Sequence, residues 1–473
     1  MAAEKPLVQS AQSYPPWHAG ELESNRVREA LGQVEPKGQR THTPSLAVLA
    51  RSAGAYHWTP EGRRLADFTS GVLVANLGHN PVRWWRRLFD YLQLETLEHA
   101  GADELYAEAM PLTSYNALTS LEVTCCERLV ANMRDQPGGN RMEQVLWAAS
   151  GSEAIQKSLW AAMRRHEGRD MILATRRGFH GKKGLANAVT GSEQDPERDE
   201  RVRFVSFPVD ECRDLEARKK PLDLTRYEHE LEQVAEELGD RICCLITEPY
   251  LGGGGSYHPQ AEYLQLLEQF CRQRDIVFIL DEIQSNFGRT GPMYAYTHYG
   301  IEPDLVCLGK GMGNGVPVSA VVGRGDVLAT LDYGAGSDTW SGNPMSSAAV
   351  LATLDEFETE DVLAAGQGLA AVLEQGLQRL KQTRAVSRVR GEGCVWGVEC
   401  QPIAGYSANE VANACVEACY RGDSRGRAIH LLGPLAGNVL RVSPPLTMPV
   451  DEATEYLDVM FERVQDAAAR IMG

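Results

Sequence analysis

Asp281 and Lys310 are the two residues through which this chain could do covalent and acid-base chemistry. Asp281 follows the apolar run Ile276-Val277-Phe278-Ile279-Leu280, which reads as a strand buried on both faces of a sheet. Lys310 follows a second run, Leu305-Val306-Cys307-Leu308, and stands between Gly309 and Gly311, where the backbone can bend sharply. If the two strands are neighbours in an open α/β sheet, a carboxylate and an amine meet at the carboxyl ends of strands, where ligands collect. Taken singly, each feature is common in loops and decides nothing.

Together they have a specific use. A lysine amine forms a Schiff base with an aldehyde cofactor, and pyridoxal phosphate also needs an acid partner for its ring nitrogen, so that the ring can accept carbanion electrons.

Other stretches offer the remaining groups. Val145-Leu146-Trp147-Ala148-Ala149 reads as a strand that ends in Ser150-Gly151-Ser152 and opens a helix. Such a helix start suits a phosphate, although an ordinary serine N-cap uses the same residues. The strand Met171–Thr175 closes on Gly178-Phe179-His180-Gly181-Lys182. A ring there could stack on a flat heterocycle, worth about 0.5–1.5 kcal/mol beyond burial, or belong to the core. Ile242–Thr247 runs into Glu248, Pro249, Tyr250 and the glycines 252–255. A buried glutamate at that place must be hydrogen-bonded, which fits a supporting role near Gln284. Arg441 lies inside the strand-like Val439–Val442, where its planar fork suits either a substrate carboxylate or a structural ion pair.

The segments LDEIQSNFGRTG (280–291) and PDLVCLGKGMGNGVP (303–317) closely resemble the core signature of the class III aminotransferases, the ω-, acetylornithine- and GABA-type family of fold type I. Further blocks agree in order over roughly 50–460: the segment 70–81, Ser337–Pro344, and Asn438–Thr447. The resemblance implies an α/β fold with a large domain built on a mostly parallel sheet and a smaller α+β domain from both chain ends. The implied division is an arm at 1–45, small-domain segments at 46–95 and 351–473, and a large domain at 96–350.

It also implies the cofactor pyridoxal 5'-phosphate, and an aminotransferase that moves an amino group from an amine or amino acid to 2-oxoglutarate or pyruvate in two half-reactions. On that match Lys310 holds the cofactor and moves the proton, Asp281 keeps the ring nitrogen protonated, and Gln284 bonds the ring oxygen. Phe179 stacks on the ring, with His180, Ile283 and Glu248 beside it. Gly151 and Ser152 hold the phosphate together with Thr339 of the partner subunit, so the expected unit is a homodimer or a dimer of dimers. Arg441 is implied to bind the substrate carboxylate, and Val72, Lys182 and Tyr250 to shape the pocket.

Two departures bear on substrate. Relatives that alternate between an amine and 2-oxoglutarate often carry a glutamate where this chain has Gly253, and the arginine that reads a distal carboxylate is replaced by Lys182-Lys183. Epimerases, aminomutases and decarboxylating transaminases use the same residues and remain alternatives, whereas a non-catalytic cofactor-binding protein is disfavoured because every expected chemical group is present. A dinucleotide-binding enzyme is disfavoured, because no Gly-x-Gly-x-x-Gly turn opens a helix.

At 473 residues the chain can bury two or three cores, and its net charge of -17 argues against nucleic-acid binding. The eleven cysteines are scattered without zinc-ligand spacing, so no metal is expected and reduced, buried thiols are. No signal pattern opens the sequence and no apolar run approaches a membrane span, so a cytoplasmic protein is expected.

Overall fold

A computed structural model describes residues 15–473 except 102, 104, 196 and 197; positions 1–14 of the expected arm lie outside the described residues. The described strands, in chain order, begin with β1 (Arg51–Ala53), β2 (Tyr56–Trp58) and β3 (Arg64–Asp67). They continue with β4 (Gln144–Ala148), β5 (Met171–Thr175), β6 (Val202–Val205), β7 (Ile242–Thr247), β8 (Val277–Asp281), β9 (Leu305–Leu308) and β10 (Ser319–Gly323). The last four are β11 (Val386–Glu392), β12 (Val395–Cys400), β13 (Ala428–His430) and β14 (Val439–Val442).

The larger of two units comprises Val74–Asn76 and Pro81–Leu363 and holds a seven-stranded sheet of order β4-β10-β9-β8-β7-β5-β6. Strands β6, β5, β7, β8 and β9 run parallel, and β10 runs against both β9 and β4. Every residue of β5, β7, β8, β9 and β10 is buried, which is why these strands read as unbroken apolar runs instead of alternating ones. Ile155, Leu159 and Ala162 of the helix Gly151–Arg165 pack with Ile172, Ile246, Ile279 and Val321 of the sheet in one core.

The smaller unit comprises the chain through Leu73, Leu77–Asn80 and Ala364–Gly473. It holds a four-stranded sheet, β1-β2-β3-β13, and a three-stranded antiparallel sheet, β11-β12-β14. The helix Ala408–Arg421 begins with a capping box between Ser407 and Glu410, the pattern that satisfies two orphan N–H groups at once.

Several expectations need correcting. The helix Val82–Leu92 and the stretch through Leu363 belong to the larger unit, not the smaller, because Trp84 is buried there and its Nε1–H donates to Thr353 Oγ1 at 2.9 Å. The arm reads as irregular with one helix near Glu21 to Leu31, and its described part holds the helix Leu22–Val34, whose buried Arg28 bonds Glu21 Oε2 at 2.7 Å and the Tyr420 hydroxyl at 3.1 Å. Residues 82–135 read as helical, with a second amphipathic run opening at Ser120, and the regular helices there are Val82–Leu92, Thr96–His99 and Ser120–Arg134. Leu105, Tyr106, Leu112 and Leu118 between them are exposed, so no buried stripe supports a helix there. Strands β1 and β11 were missed because Arg51–Ala53 and Val386–Glu392 carry polar residues that weaken the apolar signal.

Candidate active site

The topology brings the expected groups to one edge of the large sheet. Asp281 is the last residue of β8 and pairs in register with Cys307 of β9, the strand that ends two residues before Lys310. Glu248 directly follows β7, and Phe179 and His180 follow β5. Because β10 is antiparallel to both its neighbours, β4 runs the same way as β9 and delivers Gly151 and Ser152 to the same edge.

Asp281 is buried and both carboxylate oxygens are engaged. His180 Nδ1 lies 2.7 Å from Oδ2, and the Ile283 N–H donates to Oδ1 at 3.0 Å. His180 Nε2 is also buried and has no hydrogen-bond partner among the described residues. Lys310 is half-buried and takes a φ of 48°, a left-handed conformation uncommon for any residue but glycine. It opens the short turn Lys310–Gly313, and its neighbour Gly309 lies so close to Ser319 that a Cβ would come within 2.7 Å of the Ser319 hydroxyl. Backbone strain held by such packing is concentrated at functional positions.

Close backbone approaches join the other groups. A Cβ on Gly151 would lie 2.9 Å from Ile283 Cδ1, and one on Gly181 only 2.3 Å from Ser152 Oγ. The serine that caps this helix is Ser150, whose hydroxyl accepts the Glu153 N–H, so Gly151 and Ser152 occupy the first turn beyond the cap. A Cβ on Gly253 would lie 2.6 Å from Phe179 Cβ, and one on Gly252 would lie 2.3 Å from Gln284 Oε1. The Gln284 Oε1 is buried without a hydrogen-bond partner among the described residues. Phe179 keeps 38% of its surface exposed at this edge.

Glu248 accepts the N–H groups of Phe179 (2.9 Å) and Gly252 (3.1 Å), locking the two loops together. Burial pushes its carboxyl up to about 7, with the nearby Asp281 adding to the rise against the opposing effects of His180 and the two N–H donors.

Three further expected residues lie on the larger unit. Tyr250 is buried and stacked on His258, centroids 4.3 Å apart and planes within 4°. Lys182 is exposed. Thr339 is exposed and lines a surface pocket of about 420 Å³ with Tyr115, Trp147 and Tyr333.

Two residues lie on the smaller unit. Val72 sits in a left-handed turn, with φ positive from Ser70 through Leu73, and that turn is tied by the Ser70 hydroxyl to the Ser443 carbonyl at 2.6 Å. Arg441 is buried on β14 opposite Gly397, and the same row continues to Arg390 on β11, which pairs with Glu399 at 2.6 Å.

Sequence reading missed three supports. Asn76 donates to the Phe287 carbonyl at 2.8 Å and accepts from Arg289 at 2.5 Å, and a Cβ on Gly311 would lie 2.3 Å from its Nδ2. Glu282 accepts the N–H groups of Ala295 and Tyr296, each at 2.8 Å, and burial raises its carboxyl to about 7. Lys157 joins the helix after β4 to the loop carrying Thr339, through the Trp147 carbonyl at 2.6 Å and Asp338 at 2.8 Å. The doublet Asp281-Glu282 was a visible signal, whereas nothing local marked Asn76 or Lys157.

The class-III aminotransferase family model matches residues 37–464. The 2-aminoadipate transaminase of Pseudomonas putida is 30% identical over 89% of this chain and 98% of its own length. The leucine/methionine racemase of Thermococcus litoralis is 26% identical over 94% of this chain and 96% of its own. Among solved structures, an amine transaminase from an uncultivated Pseudomonas species, in its PLP-bound form, superposes with a TM-score of 0.71 at 25% identity, covering 98% of this chain and 99% of that one. With the family matched along nearly its whole length and the acid and lysine at one sheet edge, the chain belongs to the class-III aminotransferases, enzymes that use pyridoxal 5'-phosphate to move an amino group to a 2-oxo acid.

Proposed function

We propose that this enzyme takes the amino group of an amine or amino acid and delivers it to a 2-oxo acid whose α-carboxylate is held by Arg441, with Lys310 as the proton carrier. The observation that carries the reading is the register of β8 against β9, with a buried, doubly bonded Asp281 on one strand end and Lys310 just past the other.

The residues fit the cofactor. His180 Nε2 and Gln284 Oε1 are buried polar atoms with hydrogen-bonding capacity to spare, and Phe179 keeps a partly exposed ring at the same edge. When bound, pyridoxal 5'-phosphate supplies an aldehyde that captures an amine and a ring that accepts electrons from the bond being broken.

The chain's own residues do the rest. Asp281, oriented by the Ile283 N–H and by His180, would be the partner of the cofactor's ring nitrogen. Phe179 offers a partly exposed face for stacking, and Ile283 packs against Gly151. Gly151 and Ser152 present the first-turn N–H groups and a hydroxyl to a phosphate. Lys310 Nζ takes the proton released at the substrate carbon and returns it nearby, general acid-base work at short range. Glu248 holds the Phe179 and Gly252 loops in place.

The positive charge of Lys182 favours a dicarboxylic acceptor such as 2-oxoglutarate over pyruvate. The exposed Thr339 supports a homodimer in which each chain contributes to its partner's phosphate site, and the free cysteines support a reducing, cytoplasmic setting. Among the described residues no helix is long and apolar enough to cross a membrane.

A second reading, racemisation, draws support from Gly253, where the loop closes on Phe179 and leaves no room for a side chain that would answer a departing carboxylate. Borohydride reduction of the holoenzyme followed by peptide mapping is the direct test. A pyridoxyl adduct is expected on Lys310, and an adduct elsewhere, or none, sinks the assignment. Initial rates with 2-oxoglutarate, pyruvate and oxaloacetate rank the acceptors, and loss of optical activity without any acceptor would favour the racemase.

A further inference from the structure

The smaller unit gathers three histidines around one aspartate. His57 on β2 stands opposite Leu65 of β3, Asp67 lies two residues further along β3, and His430 of β13 pairs with Asp67. Strand alternation therefore puts His57, Asp67 and His430 on the same face of this sheet. His79 arrives from a loop that is fixed by reciprocal backbone bonds to Gly54, 2.9 and 2.8 Å long.

The ring nitrogens converge on one oxygen. His79 Nε2 lies 2.7 Å and His57 Nε2 3.4 Å from Asp67 Oδ2, and the three side chains can offer ligand atoms within 4.8 Å of one another. The outward-facing atoms of His57 and Asp67 are already committed. His57 Nδ1 is 2.7 Å from the Ser52 hydroxyl, and Asp67 Oδ1 accepts the Thr69 N–H at 2.8 Å and its hydroxyl at 2.6 Å. Outer hydrogen bonds that fix ring orientation and leave the inner atoms facing each other are how proteins prepare metal ligands. His430 Nδ1 is buried beside them with no hydrogen-bond partner among the described residues, its ring centroid 5.5 Å from that of His57.

We propose that His57, Asp67 and His79 form a binding site for a divalent transition-metal ion of the zinc class, ligated through Nε2, Oδ2 and Nε2. Two imidazoles and a carboxylate suit zinc and its borderline-soft neighbours and not calcium or magnesium, which take oxygen ligands. Metal–ligand bonds of about 2.0–2.1 Å in a tetrahedron put ligand atoms about 3.3 Å apart. The His57–Asp67 separation of 3.4 Å is already there, and the His79 contact at 2.7 Å has to open slightly. Water or His430 completes the set. The ion replaces the protons now shared with Asp67 and clamps β2, β3 and the loop of His79. No cysteine takes part, which is why cysteine spacing revealed nothing, and the histidines are too far apart in sequence to form a motif.

The test uses the purified holoenzyme, stripped with a chelator and dialysed against zinc or cobalt(II). One zinc per chain at micromolar concentration is expected, with a melting temperature raised by about 5 °C and visible cobalt bands of a four-coordinate nitrogen and oxygen site. His57→Gln and His79→Gln should each weaken zinc binding by about 100-fold or more, and Ser52→Ala, which disturbs only the orienting bond, by about 10-fold. The Ser52 variant keeps the proposal testable should the histidine variants fail to fold. Absence of stoichiometric binding, an affinity untouched by all three substitutions, or a sulfur-to-cobalt charge-transfer band would overturn it, leaving a hydrogen-bonded cluster or a thiol site instead.

Discussion

His180 Nδ1 sits 2.7 Å from Asp281 Oδ2, and both side chains are buried at the end of the parallel strands that also deliver Lys310. The carboxylate is therefore aimed by a side chain from a different strand end, not by its own loop alone. This makes His180 a positioning residue whose effect should be separable from that of the acid it orients.

Asp281→Asn should reduce kcat by about 10²–10³-fold, because the carboxylate proposed to partner the cofactor's ring nitrogen is lost. His180→Phe leaves the charge but removes one of its partners. A smaller loss in kcat is expected, together with an altered pH profile and little change in substrate KM. Equal losses in the two variants, with unshifted profiles, would refute the positioning role.

Gly253→Ala tests the closeness of the glycine loop to the ring at 179. The added Cβ would lie 2.6 Å from Phe179 Cβ, next to the backbone, where rotation of the ring gives no relief. Overpacking of this kind costs about 1–3 kcal/mol. A lower melting temperature and weaker cofactor retention are expected, and Phe179→Leu, which keeps the same Cβ, should restore neither. A fully stable, active Gly253→Glu enzyme would contradict the described loop.

Arg441→Ala should raise the KM for 2-oxo acids by about 10- to 100-fold, the value of a hydrogen bond to a charged group, with less effect on amine donors that lack an α-carboxylate. Initial-rate kinetics with matched donors read this directly. An unchanged KM would return Arg441 to a purely structural role.

Glu282 links pH to stability. Its folded carboxyl titrates at about 7, above the 4.5 of an unperturbed glutamate, so between those values the folded chain holds a proton that the unfolded chain has released. The contribution is fully present below about 4.5 and is lost as pH rises through about 7, at a slope of up to about 1.4 kcal/mol per pH unit. Glu282→Gln cannot titrate and should lose about 1–3 kcal/mol, because one of the Ala295 and Tyr296 N–H groups loses its acceptor. Denaturant melts should therefore show the stability gap between wild type and variant narrowing from pH 5 to pH 8. A gap independent of pH would remove Glu282 as the titrating group.

Much of the fold and of the chemistry is written locally. The apolar runs that became β5, β7, β8 and β9 are buried on both faces, so their hydrophobicity needs no alternation and is visible without coordinates. The residues at their ends, Asp281, Glu248, Phe179 and Lys310, are identifiable because a strand terminus is a local event. What only the tertiary structure decided is which distant residues share a partner. Asn76 with Arg289, Lys157 with Asp338, and His57 with Asp67 and His79 are contacts fixed by strand order and loop path, which no local spacing encodes. The same holds for Gly253. Its sequence position announces a missing side chain, but the physical reason, a Phe179 Cβ that leaves no room for one, exists only after β5 and β7 have been laid side by side.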